Sequence, residues 1–192
     1  MRFFVRVFVS WLPLAVAITG ICLLVYTTVQ QNYRQSLNDP QVQMAEDAAQ
    51  YLAKDYTPAA VIPSGQQVDI ATSLTPWVAV YDESGNVLES SGVLHGAPVK
   101  PPIGVFDVAR GGTGKDTSAI GQDRVSWQPA PGVRSAIVVQ HISGPHGGFV
   151  VTGRNMREVE NRETQLSIFV LLTWVTILVA TFIAQAFARV VT

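Results

Sequence analysis

The stretch "TQLSIFVLLTWVTILVATFIAQAFARVVT", residues 164–192, decides the first question about this fold. No charged side chain interrupts it between Glu163 and Arg189. As an α-helix, residues 164–188 extend roughly 37 Å, which is enough to cross a hydrocarbon core of about 30 Å. A helix buried in a soluble core is rarely so long and so uniformly apolar. The stretch therefore predicts a transmembrane helix.

The N-terminus carries a matching apolar segment, residues 7–26. Arg2 and Arg6 precede it, and no further charge occurs before Arg34. A cleaved signal peptide is the alternative, because a basic start, an apolar run and small residues at 15–17 fit a cleavage site. The apolar run continues for nine residues beyond that point, so we predict an uncleaved first span.

The arginines beside the two segments predict the orientation. Cytoplasmic flanks carry an excess of Lys and Arg, and Arg2, Arg6 and Arg189 lie before the first span or after the second. We therefore expect both termini in the cytoplasm and the middle of the chain outside. The sequence between the spans has no cysteine and no Asn-x-Ser/Thr acceptor, which suits a bacterial inner membrane. The predicted parts are a cytoplasmic stub with the first span, an extracytoplasmic domain, the second span and a tail, over residues 1–29, 30–163, 164–188 and 189–192.

The charge and cysteine content of the middle region excludes some partners. Residues 27–163 hold all 14 acidic residues and 10 of the 13 basic ones, a net charge of −4. This balance argues against a nucleic-acid partner or an anionic lipid surface for the domain. The only cysteine, Cys22, lies in the first span. The domain therefore has no disulfide, and at about 135 residues it can bury a core without one.

The pattern of the middle region predicts an α+β fold. Apolar residues at helical spacing over residues 40–55 indicate a long amphipathic helix, and a short helix is expected within residues 100–112. Alternation and β-branched content predict five strands, separated by turn residues. The strands are expected at 77–81, 87–90, 124–130, 133–142 and 147–154. A charged helix follows the last strand and enters the second span.

This order resembles the extracytoplasmic PAS-like (Cache-type) sensor domains of two-span bacterial receptors, such as membrane histidine kinases and chemoreceptors. The resemblance rests on "YDESGNVLESSG", residues 81–92, and on "GGFVVTGRNMREVE", residues 147–160. It implies a mostly antiparallel sheet of about five strands between two transmembrane helices. Such receptors continue into an output domain, whereas this sequence ends at Thr192. We therefore expect any output to lie in a separate partner protein.

The resemblance also implies a ligand pocket between the sheet and the elements packed on it. A guanidinium can hold a carboxylate through two hydrogen bonds, which draws attention to Arg134. The alternative is that the aromatic residues form core and that Arg134 is solvated at a strand end. The residues that we assign to a small-molecule site are Tyr81, Phe106, Trp127, Arg134 and His141.

Two further motifs invite catalytic or metal-binding interpretations that the residues do not support. "GGTGKD", residues 111–116, lacks the first glycine of a phosphate-binding loop, because position 109 is Ala109, and Asp116 replaces the magnesium-binding Ser or Thr. His141 and His146 flank a turn, and a metal site would need at least one more ligand. We expect solvated histidines, no enzyme, no metal and no cofactor.

The second span carries small residues at four-residue spacing. Ala180, Ala184 and Ala188 lie on one helix face, and small residues let membrane helices approach closely. We predict that this face packs on Ala15 and Thr19 of the first span or on a partner's helix. The bulky residues expected to face lipid are Leu171, Val175, Leu178 and Phe182.

Two functions remain open. The first is a membrane sensor or signal-relay subunit that lies in the lipid bilayer, binds a small molecule outside and acts through a partner protein or a second copy. The second is a structural or assembly subunit of an envelope complex with no ligand. A polar-lined pocket would favour the first, and a filled interior with a large exposed apolar patch would favour the second.

Overall fold

The computed structural model describes residues 2–36, 39–62, 65, 67–111, 121–143 and 147–191. The chain divides into two compact units. A helical unit consists of Met1–Arg34 and Glu160–Thr192, and a domain consists of Gln35–Val159.

Two long helices form the helical unit. They are α1 (Arg2–Ser36) and α5 (Arg157–Val191), each of 35 residues. Both contain windows apolar enough to cross a membrane, with mean hydropathy 2.3 and 2.5. Each helix is longer than its predicted span because the polar residues beside it, such as those of "REVENRE", also favour helix. Two apolar, membrane-length helices are therefore confirmed.

The domain contains three helices and eight strands in the part of the chain that the structure describes. The helices are α2 (Asp39–Ala53), α3 (Pro58–Val61) and α4 (Ile103–Gly111). The strands are β1 (Val68–Asp69), β2 (Trp77–Tyr81), β3 (Val87–Ser90), β4 (Gly92–Leu94), β5 (Ala97–Pro98), β6 (Gln122–Ala130), β7 (Val133–Ile142) and β8 (Gly148–Asn155).

The main sheet has five strands in the order β3-β2-β8-β7-β6, and every neighbouring pair is antiparallel. The last strand, β8, therefore lies in the centre, between β2 and β7. A smaller sheet has the order β1-β4-β5 and includes one parallel pair, β1 with β4. The predicted α+β class and the mostly antiparallel five-stranded sheet are confirmed.

The two faces of the main sheet bury separate apolar clusters. On one face α2 packs through Ala45, Ala48 and Leu52 against Val138 and other sheet residues. On the other face α4 packs through Phe106 and Ala109, among residues that include Tyr81, Ile137 and Phe149. Side chains alternate between the faces of a strand, so the all-buried pattern of β2 reflects cover on both sides. We call these the α2 face and the α4 face.

Trp77 shows how the α4 face is packed at one end of β2. Its side chain is 1% exposed. An added Cβ at Gly153 would lie 2.4 Å from the indole ring, and one at Gly92 would lie 2.9 Å from it. Because glycine has no Cβ, Gly92 and Gly153 leave room for the Trp77 ring.

Candidate functional site

Strand register separates the five predicted ligand residues. Directly paired residues share a face of an antiparallel sheet. Tyr81 pairs with Phe149, which pairs with His141, so these lie together on the α4 face with Phe106. Trp127 pairs with Ser135, six residues along β7 from His141, so it lies roughly 20 Å away on the same face.

Arg134 lies on the opposite face, because it is adjacent to Ser135 in β7 and successive side chains alternate. It is exposed, in agreement with the strand-end alternative. The structure therefore brings together Tyr81, Phe106 and His141, but not Trp127 or Arg134.

The aromatic residues of this group form core. Tyr81, Phe106 and Phe149 are at most 1% exposed. The centroid of the Phe106 ring lies 5.1 Å from that of the Tyr81 ring and 4.9 Å from that of the Phe149 ring. The Tyr81 hydroxyl donates to the Val99 carbonyl at 2.8 Å, and burial raises the pKa of this phenol. A ligand would reach these rings only through a rearranged core.

His141 belongs to a polar cluster at the rim of the same face. Its Nε2 lies 3.0 Å from Oε1 of Glu83. Arg110 donates to the Glu83 carbonyl at 2.7 Å, and its guanidinium carbon lies 5.1 Å from the centre of the Phe149 ring. The sequence alone does not identify Glu83 or Arg110. Glu83 lies in the turn after β2 and Arg110 in the last turn of α4, and only the fold brings them together.

The position of Glu83 is fixed by the turn between β2 and β3. Asp82 accepts hydrogen bonds from the Asn86 side-chain amide at 2.9 Å and from the backbone N–H groups of Asn86 and Ser84 at 2.8 and 2.9 Å. These bonds, led by that of the Asn86 amide, lower the pKa of the Asp82 carboxyl.

Metal binding finds no support at this rim. Among the described residues, no group of three or more His, Cys, Asp or Glu side chains could hold a metal ion. His146 and most of the "GGTGKD" segment lie outside the described residues.

Two buried polar atoms on the α4 face are left without hydrogen-bond partners in the parts of the chain that the structure describes. They are Nε1 of Trp77 and Oγ of Ser135. The Trp77 nitrogen lies 2.9 Å from the position of a Cβ at Gly153, and Gly153 is two residues from Asn155, the partner of Ser135. Buried polar groups are nearly always paired, so these two atoms are exceptions within the interior of the domain.

Several side-chain hydrogen bonds hold the junction between β8 and α5. Only Met156 separates the strand from the helix. Asn155 accepts from the Arg157 N–H at 2.8 Å and donates to the Ile70 carbonyl at 2.8 Å. Arg157 donates to the Thr72 carbonyl at 2.9 Å.

Arg154 completes this junction. It donates to the Leu74 carbonyl at 3.1 Å and pairs with Glu158 at 2.9 Å. The second contact joins a residue of β8 to the first turn of α5. The start of α5 is thus tied by side chains to the loop of residues 70–74.

Within the helical unit, α1 and α5 are joined by side-chain hydrogen bonds. Indole N–H groups donate across the pair from Trp174 to Thr19 at 2.9 Å and from Trp11 to Thr181 at 3.0 Å. Gln185 donates to Ser10 at 3.2 Å. A fourth contact, at 3.2 Å, joins the hydroxyls of Tyr26 and Ser167.

Each small hydroxyl in these contacts also donates to a carbonyl four residues earlier in its own helix. Thr19 donates to the Ala15 carbonyl at 2.8 Å, and Thr181 donates to the Ile177 carbonyl at 2.7 Å. The hydroxyl proton is therefore used within the helix, and the oxygen accepts from the facing helix. Membrane helices commonly associate through such polar contacts.

The predicted alanine face lies elsewhere. Ala15 is 8% exposed, and both it and Thr19 lie on the contact surface of α1, but Ala180 and Ala184 on α5 are exposed. Ala188 is also exposed. The pairing of α1 with α5 thus uses the indole and hydroxyl groups instead of these alanines. Packing of the alanine face on a partner's helix stays a prediction.

Phe182 was expected to face lipid, and this expectation is wrong. Its ring packs edge-on against Trp11 of α1, with centroids 5.3 Å apart. The reason is that Phe182 is adjacent to Thr181, which accepts the Trp11 hydrogen bond, so the indole lies within reach of both.

Comparisons of the sequence with protein-family models and curated proteins, and of the fold with solved structures, find no match.

Proposed function

We propose that the protein is a membrane signal-relay subunit. In this proposal an extracytoplasmic PAS-like sensor domain passes a change of conformation through α5 to a partner in the same membrane. The partner is a second copy of the chain or another membrane protein. The observation that carries the proposal is the junction between β8 and α5.

The junction suits a relay because it connects the centre of the sheet to a membrane-length helix. β8 is paired with β7 along its whole length and with β2 over residues 149–153. A movement of either neighbouring strand would therefore move the end of β8 that leads into α5. Asn155 and Arg157 then connect that end to the loop of residues 70–74. A domain that was only anchored would need no more than a flexible linker.

The sensor part of the proposal draws on the arrangement of the sheet and on its buried polar atoms. The first and last strands of the main sheet, β2 and β8, are neighbours in its centre, with α2 on one face and α4 on the other. This arrangement is consistent with a PAS-like class. Nε1 of Trp77 and Oγ of Ser135 supply a donor and a hydroxyl for a small polar ligand.

A structural or assembly subunit is the second candidate, and one observation favours it. The α4 face around Tyr81, Phe106 and Phe149 is filled by their own side chains. Ligand sites usually present a concave, partly open surface. In this second candidate the domain carries no signal, and the junction only fixes its attachment.

A fusion experiment tests the relay without knowledge of the ligand. Residues 1–191 would be fused to the cytoplasmic output part of a two-span histidine kinase. A set of fusions would shift the joining point residue by residue, so that the output part is attached at different angles around the helix. The double variant Asn155→Ala, Arg157→Ala should change kinase output about fivefold or more, because coupling between distant sites is typically worth 1–3 kcal/mol. Thr164→Ala is the matched control, since among the described residues this side chain hydrogen-bonds only to the Glu160 carbonyl of its own helix.

Folding of the double variant would be verified from its level in the membrane and from its melting transition. A folded double variant with the output of the parent in every active fusion would contradict the relay. That result would support the structural candidate.

A further inference from the structure

We propose that the end of the helical unit that carries Arg6 and Arg189 binds the phosphate group of an anionic phospholipid. The inference rests on one premise of the proposed function, that α1 and α5 cross a membrane. It adds a ligand site that belongs to the helical unit and not to the domain.

The site is a pocket of about 280 Å³ lined by Phe3, Arg6, Val7 and Arg189. The two arginines come from different helices and from opposite ends of the sequence, yet they line one pocket. Both are exposed, and neither makes an ion pair with a described residue. Two guanidinium groups in one pocket repel each other unless an anion lies between them.

No acidic side chain among the described residues of the helical unit lies at this end. Its acidic residues on α5 are Glu160 and Glu163. The nearer of them, Glu163, is 26 residues before Arg189, or roughly 39 Å along the helix. The charge of the pocket is therefore complemented by a ligand from outside the unit.

The apolar part of the lining identifies the ligand as a lipid instead of a soluble anion. Val7 is 1% exposed and is the first residue of the apolar segment 7–26. Phe3 contributes an aromatic ring that is 41% exposed. Cationic and apolar groups thus meet at the boundary where a bilayer changes from headgroups to acyl chains, and basic pockets between membrane helices bind anionic headgroups.

The arginines suit a phosphate group in particular. A guanidinium presents a planar set of N–H donors that matches two phosphate oxygens, whereas an ammonium acts as a point charge. Two arginines can therefore contact the phosphate from both helices. The bound lipid would join the cytoplasmic ends of α1 and α5.

Native mass spectrometry of the full chain in nanodiscs tests this site. The nanodiscs would contain equal amounts of phosphatidylglycerol and phosphatidylcholine, and the lipid retained by the released protein would be counted. The parent should retain phosphatidylglycerol preferentially. Arg6→Gln and Arg189→Gln should each reduce that preference about fivefold, since a basic residue near an anionic surface contributes about 1 kcal/mol.

Matched variants separate the site from general charge. Arg134→Gln removes an exposed arginine of the domain and should leave the preference unchanged. Arg6→Lys and Arg189→Lys keep the charge and should retain more of the preference than the glutamine variants. Both leaflets of a nanodisc have the same composition, so a change in membrane orientation does not affect the result.

Competition distinguishes a lipid from a free anion. Inorganic phosphate at millimolar concentration should not displace phosphatidylglycerol, because it has no acyl chain for the apolar lining. Displacement by phosphate would overturn the assignment to a lipid, and an unchanged preference in both glutamine variants would overturn the site. Failure of the chain to enter nanodiscs would instead contradict the membrane premise that the proposed function shares.

Discussion

The carboxylate of Asp82 fixes a turn through its charge, and this gives a pH-dependent prediction. Hydrogen bonds lower its folded-state pKa from the usual value of 3.8. Because the folded-state pKa is lower than the unfolded-state pKa, the ionised carboxylate stabilises the fold when the pH is above the unfolded-state pKa. This contribution is lost as the pH falls from there through the lower folded pKa.

Asp82→Asn should therefore lower the melting temperature at pH 7 and reduce the further loss of stability between about pH 5 and pH 2. Thermal melts of the full chain in detergent across this range measure both effects. Glu89→Gln, at an exposed position of β3, is the control. An acid-induced loss in Asp82→Asn equal to that of the parent would contradict the role of this carboxylate.

Gly153 gives a second prediction at a single position, through the space that it leaves. An added Cβ would lie 2.4 Å from the Trp77 ring. Gly153→Ala should destabilise the domain by about 1–3 kcal/mol, as overpacking of a core does. Gly104→Ala is the matched control, because a Cβ there has no neighbour among the described residues within 4 Å, and it should stabilise α4 by up to about 1 kcal/mol. Urea unfolding of both variants measures the difference, and equal stability would contradict the packing of Trp77.

The α5 side chains that hydrogen-bond to α1 repeat at seven residues. Ser167, Trp174 and Thr181 follow one another at this spacing. Seven residues in two turns is 3.5 per turn, slightly less than the 3.6 of a straight helix. A repeat of this length keeps one face of α5 toward α1 when the helices are slightly supercoiled.

Removing the hydroxyl acceptors should weaken this pairing. Thr19→Val and Thr181→Val keep the side-chain shape but leave the indoles of Trp174 and Trp11 without their acceptors. Each should cost about 0.6 kcal/mol and at most about 1.7 kcal/mol. Unfolding in sodium dodecyl sulfate, followed by tryptophan fluorescence, measures the loss.

Thr176→Val is the control for these variants. Thr176 is exposed, and in the part of the chain that the structure describes it donates only to the Leu172 carbonyl of its own helix. Unfolding at the same detergent concentration in all three variants would contradict a stabilising role for the hydrogen bonds between the helices.

The sequence predicted the regular elements well because their residues repeat at the period of helix or strand. The five strands of the main sheet and helix α2 were found within a few residues. The strands β1, β4 and β5 were missed because two or three residues are too few to show a period. The pairing of β1 with β4 joins Val68 to Gly92, and no local pattern encodes such a contact.

The candidate sites were harder to predict, since they depend on which residues meet in space. Tyr81 and Phe106 were assigned to a ligand pocket, but they are core residues in the structure. The neighbours of His141 come from a turn and from the end of a helix, and only the fold brings them together. The alanine spacing in α5 was visible, whereas the indole–hydroxyl contacts needed the register of the two helices.

The protein combines a helical unit suited to a membrane with a domain whose central strand, β8, continues into α5. The relay depends on an arrangement that we propose, in which the domain lies outside the cell and Arg6 and Arg189 lie in the cytoplasm. The charge distribution favours this orientation.

Cysteine labelling in intact cells tests this arrangement most directly. In a Cys22→Ser background, Lys100→Cys lies at an exposed position of the domain and Val190→Cys at an exposed position near the end of α5. We predict that a membrane-impermeant thiol reagent labels Lys100→Cys in intact cells and labels Val190→Cys only after permeabilisation. Equal labelling of both positions in intact cells, or labelling of Val190→Cys alone, would contradict the two-span arrangement with an extracytoplasmic domain.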